Sequence, residues 1–258
     1  MSEGPNIVGF QTLLYRECRR FIRLWNQTLV PPVVMCVLYI LIFGYSLGSR
    51  IDGDVLGVSY LTFLIPGLVM INIISSAYAN TSSSFYIARF QGSVQELLVS
   101  SMSNTEIVLA IVLGGVARGV AVGFGLTLVS MLLVGFHIEH FLVAAYFIVM
   151  VSFVFSCAGF IAAIWAQDFD RLSLFQTYFL TPLNYLGGVF FSLEMLPGIW
   201  RTVAMANPIL YFVNGMRYGF LGISDVSLGT AAVGVAVFAA ACFGICLHLF
   251  RTGYNIKT

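Results

Sequence analysis

Six stretches of this chain, residues 24–49, 55–88, 119–138, 140–167, 172–193 and 226–250, run for 26, 34, 20, 28, 22 and 25 residues without an Asp, Glu, Lys or Arg. A helix of about 20 residues crosses the ~30 Å hydrocarbon core of a bilayer. Each stretch is therefore long enough for one crossing and too short for two. The composition agrees: 59% of the residues are hydrophobic and 9% charged, against about 25% charged in soluble domains. The expectation is an all-α polytopic membrane protein with six transmembrane helices, folded as a single domain over residues 1–258.

The basic residues set the expected orientation. With the amino terminus inside, the inner segments hold Arg16, Arg19, Arg20, Arg23, Arg89, Arg171, Arg251 and Lys257, while the outer segments hold only Arg50, Arg201 and Arg217. This bias predicts that both termini face the cytoplasm. No small-residue cleavage site closes the first span, so a removable signal peptide is not expected. A net charge of +1 without a basic cluster gives no reason to expect nucleic acid as a partner. Cys18 precedes the first span, and Cys36, Cys157, Cys242 and Cys246 lie in apolar runs, which predicts small buried side chains and no disulfide.

Residues 181–208 break the pattern. An apolar run stops at Pro197-Gly198, and the short piece after it stops at Asn207-Pro208. About eight residues make only ~12 Å of helix, too little to span. Two readings follow. Either the segment dips into the membrane beside a protein-lined path, or it lies as a helix on the outer leaflet.

Residues 7–25 read as an amphipathic interface helix, with Phe10, Leu13, Leu14, Phe21, Leu24 and Trp25 along one face and Arg16, Arg19, Arg20 and Arg23 along the other. Glu17 falls within the apolar arc, either pairing locally with Arg20 or meeting another protein. Residues 91–102 read as a second amphipathic helix with Val94, Leu97, Leu98 and Met102 on one side, either a handle for a cytoplasmic partner or a loop folded onto the membrane. Ser103 and Glu106 form a capping-box pattern after it.

The inner half of the second span, residues 75–84, is small and polar, which suits close helix packing or a solvated path. Gly115, Gly119 and Gly123 share one face of the third span at four-residue steps. Arg118 stands among them near the inner edge of the hydrocarbon, either snorkelling to headgroups or serving a polar path.

The chemistry of an enzyme is mostly missing. Gly44-Tyr45-Ser46-Leu47-Gly48 has the Gly-x-Ser-x-Gly spacing of esterase nucleophiles, but it ends a membrane helix instead of a strand-to-helix elbow. His137-Ile138-Glu139-His140 reads as a polar outer turn, and no metal site is expected. A phosphate-binding loop needs a lysine after its glycines, and Lys257 is the only lysine. No Asp/Glu/His relay runs through the spans either. A transporter lacking both borrows its energy from another chain or conducts passively. A passive channel or secondary carrier therefore stands as the alternative, with a lipid-directed enzyme behind it.

Residues Leu180-Thr181-Pro182-Leu183-Asn184-Tyr185-Leu186-Gly187-Gly188-Val189-Phe190-Phe191-Ser192, followed by Leu196-Pro197 and Asn207-Pro208-Ile209, carry a resemblance. Support comes from Gln27-Thr28-Leu29-Val30-Pro31-Pro32, Tyr78-Ala79-Asn80, Gln95-Glu96-Leu97-Leu98 and Arg217-Tyr218-Gly219-Phe220-Leu221-Gly222. Over essentially its whole length the chain resembles the permease subunit of type-2, exporter-class ABC transporters, in the small bacterial branch that includes nodulation-factor exporters.

The resemblance implies an interface helix on 7–25, a cytoplasmic coupling helix on 87–102 and re-entrant outer helices on 194–222, before the last span. It implies a bacterial inner-membrane location, a second permease copy forming a homodimer, and separate ATPase subunits that bind ATP and Mg while this chain binds no cofactor. Membrane lipid is the remaining expected partner. On these terms Phe90, Gln91, Gln95, Glu96 and Glu17 are the expected ATPase-coupling residues. Asn184, Tyr185, Phe190, Phe191 and Arg118 are expected along the translocation path of an exported amphipathic molecule. Its aromatic side chains suit sugar rings and acyl chains alike, or simply anchor at the interface.

Overall fold

The computed structural model describes residues 6–43, 55–253 and 255. Both the Gly-x-Ser-x-Gly motif and Arg50 lie outside the described residues. Among the described residues the chain is helical throughout, the one β feature being an isolated bridge between Val55 and Val58.

Helix α1 (Ile7–Arg23) begins where the Asn6 side chain accepts from Gly9 N, and the chain bends by 58° at Leu24 into α2 (Trp25–Leu41). Ser59 caps α3 (Tyr60–Phe90), which runs 31 residues, or ~46 Å. Gly92, with φ +76°, turns the chain into the short α4 (Ser93–Val99). That helix is narrower than the 91–102 expected, because Gly92 holds the left-handed conformation before it and Ser100 is extended after it.

Ser103 and Glu106 then close a full capping box at the start of α5 (Asn104–Val134), and Gly135 ends that helix at φ +75°. α6 (Phe141–Trp165) follows, and Asp168 caps α7 (Phe169–Phe175). Near the carboxyl end Ser227 caps α11 (Leu228–Thr252).

α3 is the axis of the bundle, lying between α5 and α6. The shared glycine face of α5 makes this possible. A Cβ on Gly115 would come within 2.4 Å of Ser156 Oγ, and one on Gly119 equally close to Ser152 Oγ. The small polar stretch of α3 is used for packing: Tyr78, Asn80, Thr81, Ser82 and Ser84 are buried among α1, α5 and α6. The four cysteines of the apolar runs are buried free thiols.

Among the described residues four helices, α3, α5, α6 and α11, are long and apolar enough to cross a bilayer, and α1 with α2 makes a fifth bent candidate. The protein is a multi-pass membrane protein. The 172–193 interval differs from the single helix expected. There α7 passes through a π turn at Gln176–Leu180 into α8 (Thr181–Tyr185), and the chain is then irregular. The cause is Pro182, which lacks an N–H for Tyr178 and crowds its carbonyl. The turn widens so that Thr181 N bonds to Gln176 O instead.

Candidate functional site

After Tyr185 the chain folds back across the amino-terminal end of α3. Gly188 supplies the required positive φ of +72°, and Gly67 on α3 leaves room for Val189, whose Cγ1 would lie 2.8 Å from any Cβ there. Tyr60 Oη donates to Phe190 O at 3.0 Å. Pro197 and Gly198 open α9 (Gly198–Met205), and Pro208 opens α10 (Pro208–Leu221). Asn207 caps α10 through Ile209 N (3.0 Å) and donates to Leu183 O (2.7 Å), fixing α10 to α8. α9 leaves Ile199 and Trp200 exposed, whereas α10 is inserted against α3, α6 and α11.

The insertion of α10 places Arg217 in the core, not in an outer loop as its position in the sequence suggested. Its side chain is fully buried, 3.5 Å from Asp225 Oδ2. It donates to Gly188 O (2.7 Å) and Asn214 Oδ1 (3.3 Å). Asp225 in turn accepts from Ser192 Oγ at 2.5 Å and donates its backbone N–H to Asn214 Oδ1 at 2.9 Å. One network thus ties the 186–192 turn, α10 and the 222–227 loop together. The sequence did carry a signal for it, since Arg217 and Asp225 are the only charges between Arg201 and Arg251.

Beside this network α2, α3 and α8 enclose a cavity of about 110 Å³. Tyr39, Tyr185 and Phe190 form its aromatic wall, with Phe190 stacked on Tyr185 at 5.7 Å and tilted against Tyr39 at 6.3 Å between centroids. Asn72, Ser75, Thr181 and Asn184 supply the polar groups. Asn184 is buried and its Oδ1 has no partner among the described residues. The lining contains no ionisable acid or base apart from the tyrosine hydroxyls, so it offers amides, hydroxyls and ring faces to a neutral polar group.

Three of the five expected path residues therefore meet: Asn184, Tyr185 and Phe190. The other two lie elsewhere. Phe191 turns to the opposite side and packs on Leu193, Ala204 and Leu210. Arg118 is on α5 by the far half of α3, since Gly115 and Gly119 on its own helix meet Thr81 and Ala77. Tyr39 and Asn72 were not foreseen, and nothing in their local sequence distinguishes them from other span residues.

The opposite end of α3 leads to α4. Val94 is buried and Leu97 and Met102 rest on the core, while Phe90, Gln91, Gln95 and Glu96 are exposed. Arg89 anchors this end by donating to Ile164 O at 2.7 Å and to Ala166 O. Glu17, grouped with these residues in the sequence, is instead buried. Its carboxylate accepts from Ser84 Oγ at 2.5 Å and lies 3.4 Å from Arg16 and 3.8 Å from Arg20. Gly114 makes room for it, because a Cβ there would be 2.5 Å from Glu17 Cβ. Burial, and then the Glu17 charge, push the neighbouring Cys18 thiol up.

Comparison with known proteins places these features in context. The family described as ABC-2 type transporter matches residues 8–221. The chain is 44% identical over 251 residues to the Inner membrane transport permease YadH of Escherichia coli (strain K12), covering 97% of this chain and 98% of the relative. It is 27% identical over 198 residues to Nodulation protein J of Rhizobium leguminosarum bv. viciae, covering 74% and 75%. With Nodulation protein J of Rhizobium meliloti (strain 1021) it shares 24% identity over 237 residues, covering 90% of each.

Proposed function

This chain belongs to the ABC-2 type transporter family, and on that premise we propose that it is the membrane permease of an ATP-driven exporter for an amphipathic molecule such as a lipid-linked saccharide, a lipid or a hydrophobic drug. Energy comes from separate ATPase subunits, which bind ATP and Mg and dock on α4 at Phe90, Gln91, Gln95 and Glu96. α2, α3, α5, α6, α7–α8 and α11 make six crossings, with both termini cytoplasmic and α1 on the inner leaflet. α9 and α10 form the outer re-entrant pair.

The observation that carries this reading is the layout along α3. One helix holds Leu68, Asn72 and Ser75 in the cavity wall and ends at Phe90 beside exposed α4. A displacement of α4 by a partner is thereby transmitted to the cavity through a continuous rigid element. Glu17 acts indirectly in this scheme, holding α1 against α3 and α5.

The cavity's size supports a second copy. About 110 Å³ is well below the roughly 300–1,000 Å³ of a small-molecule pocket, so a path for amphipathic cargo needs a facing wall. A homodimer supplies one with the same aromatic and amide groups. The test is co-purification of an ATPase chain with this protein, followed by reconstitution of both in vesicles with candidate cargo on either face. ATP-dependent accumulation on the face opposite the ATPase is expected. Accumulation on the ATPase face would show import and defeat the reading.

A further inference from the structure

We infer that the junction of α1, α3 and α5 holds a binding site for the phosphate of an anionic membrane lipid, drawn from the leaflet at the α4 end of the bundle. This does not depend on the export reading. One helical turn from the Glu17–Ser84–Gly114 contact, each of the three helices presents nitrogen donors: Arg20 on α1, Asn80 on α3 and Arg118 on α5. Arg20 Nη2 donates to Asn80 O at 2.6 Å and to Asn80 Oδ1 at 3.1 Å, which fixes these two at one level. Arg118 follows Gly114, which meets Glu17, by one turn of α5, and Gly115 and Gly119 on either side of it meet Thr81 and Ala77 of α3.

The donors are left over. Asn80 Nδ2 and Arg118 Nε are buried without an acceptor among the described residues, Arg20 Nε has only Glu17 Oε2 at 3.8 Å, beyond hydrogen-bond reach, and the nearby Thr81 and Ser156 hydroxyls are unpartnered too. Among the described residues Glu17 is the one acid of the layer, and Ser84, Arg16 and Arg20 already share it. That leaves three guanidiniums against one carboxylate. A buried donor without an acceptor is costly, and what satisfies several at once is an acceptor-only anionic group such as a phosphate.

Depth and direction point to a lipid. Side chains on a helix tilt toward its amino terminus, and the amino terminus of α5 is at the α4 end. Arg118 stands 17 residues before the Gly135 cap, which is ~25 Å of helix. Its side chain therefore reaches to the edge of a ~30 Å hydrocarbon core on that side. Arg16, Arg19 and Arg23 are exposed on α1 at the same junction. The site opens sideways, with 31% of the Arg20 side chain exposed and Arg118 partly so.

The test uses the full chain purified in neutral detergent, with phosphatidylglycerol or phosphatidylcholine added and retained lipid counted by native mass spectrometry. Wild type is expected to keep one phosphatidylglycerol in preference to phosphatidylcholine. Arg118→Gln should reduce that retention about fivefold, the scale of one basic side chain at an anionic leaflet, and Arg118→Lys should restore part of it. Equal retention of the two lipids by wild type overturns the site without recourse to any variant. So does undiminished retention of phosphatidylglycerol by Arg118→Gln. Displacement of the lipid by millimolar inorganic phosphate would mark a general anion site and overturn the lipid assignment.

Discussion

The guanidinium carbon of Arg217 lies 3.8 Å from the centroid of the Phe63 ring, with the arginine fully buried. A cation in the core is tolerated here because the ring face, the Gly188 carbonyl, the Asn214 amide and the Asp225 carboxylate surround it. Arg217→Met leaves Asp225 buried and unpaired, and is expected to destabilise the protein by about 3–5 kcal/mol. The double variant Arg217→Met/Asp225→Leu should recover most of that, read as thermal unfolding in detergent. Arg217→Lys should also fall short, because an ammonium lacks the flat fork that reaches these partners together. A double variant no more stable than the single one would refute the pairing.

Glu17 and Arg20 form a loose i, i+3 pair, but each also has a partner of its own. Exchanging the two residues keeps the pair on paper and should still fail. It would drive an arginine into the Gly114–Ser84 niche and put a carboxylate against Asn80 O, an acceptor facing an acceptor. Limited proteolysis should show α1 released from the bundle in the exchanged protein. Retained protection would mean that the local pair is all that matters.

Glu96 is exposed on α4 and makes no side-chain bond among the described residues. Glu96→Lys is therefore expected to change stability by no more than ~0.5 kcal/mol. In reconstituted vesicles it should separate ATP hydrolysis from transport while the permease dimer persists. Unchanged coupled transport would remove Glu96 from the coupling face.

Phe190 and Phe191 are neighbours with different surroundings, so their alanine variants should behave differently. Phe190→Ala and Tyr185→Ala remove the cavity's aromatic wall and are expected to lower transport by more than any loss of stability explains. Phe191→Ala strips the cluster of Leu193, Ala204 and Leu210 and should act through stability alone, by about 1–3 kcal/mol for a half-buried ring. Equal effects of Phe190→Ala and Phe191→Ala on transport at matched stability would displace the cavity from the path.

Much of what depends on neighbours along the chain was legible in the residues themselves, although the π turn before Pro182 was not. Charge-free length marked the long helices, Ser103 with Glu106 marked the start of α5, and Pro197-Gly198 and Asn207-Pro208 marked where α9 and α10 begin. The four-residue glycine spacing foretold the close face of α5. Each of these follows from hydrogen bonding or sterics within one turn of backbone. Which charge meets which was set by how the helices pack. Arg217 reads locally as an outer-loop cation, Glu17 as either the local partner of Arg20 or a contact for another protein, and Phe191 as the equal of Phe190. Their actual surroundings depend on chain segments well beyond one helical turn: Phe63 for Arg217, Ser84 and Gly114 for Glu17, Ala204 and Leu210 for Phe191. Periodicity tells which face of a helix is apolar, but the identity of the side chain that covers it is set by how the helices cross.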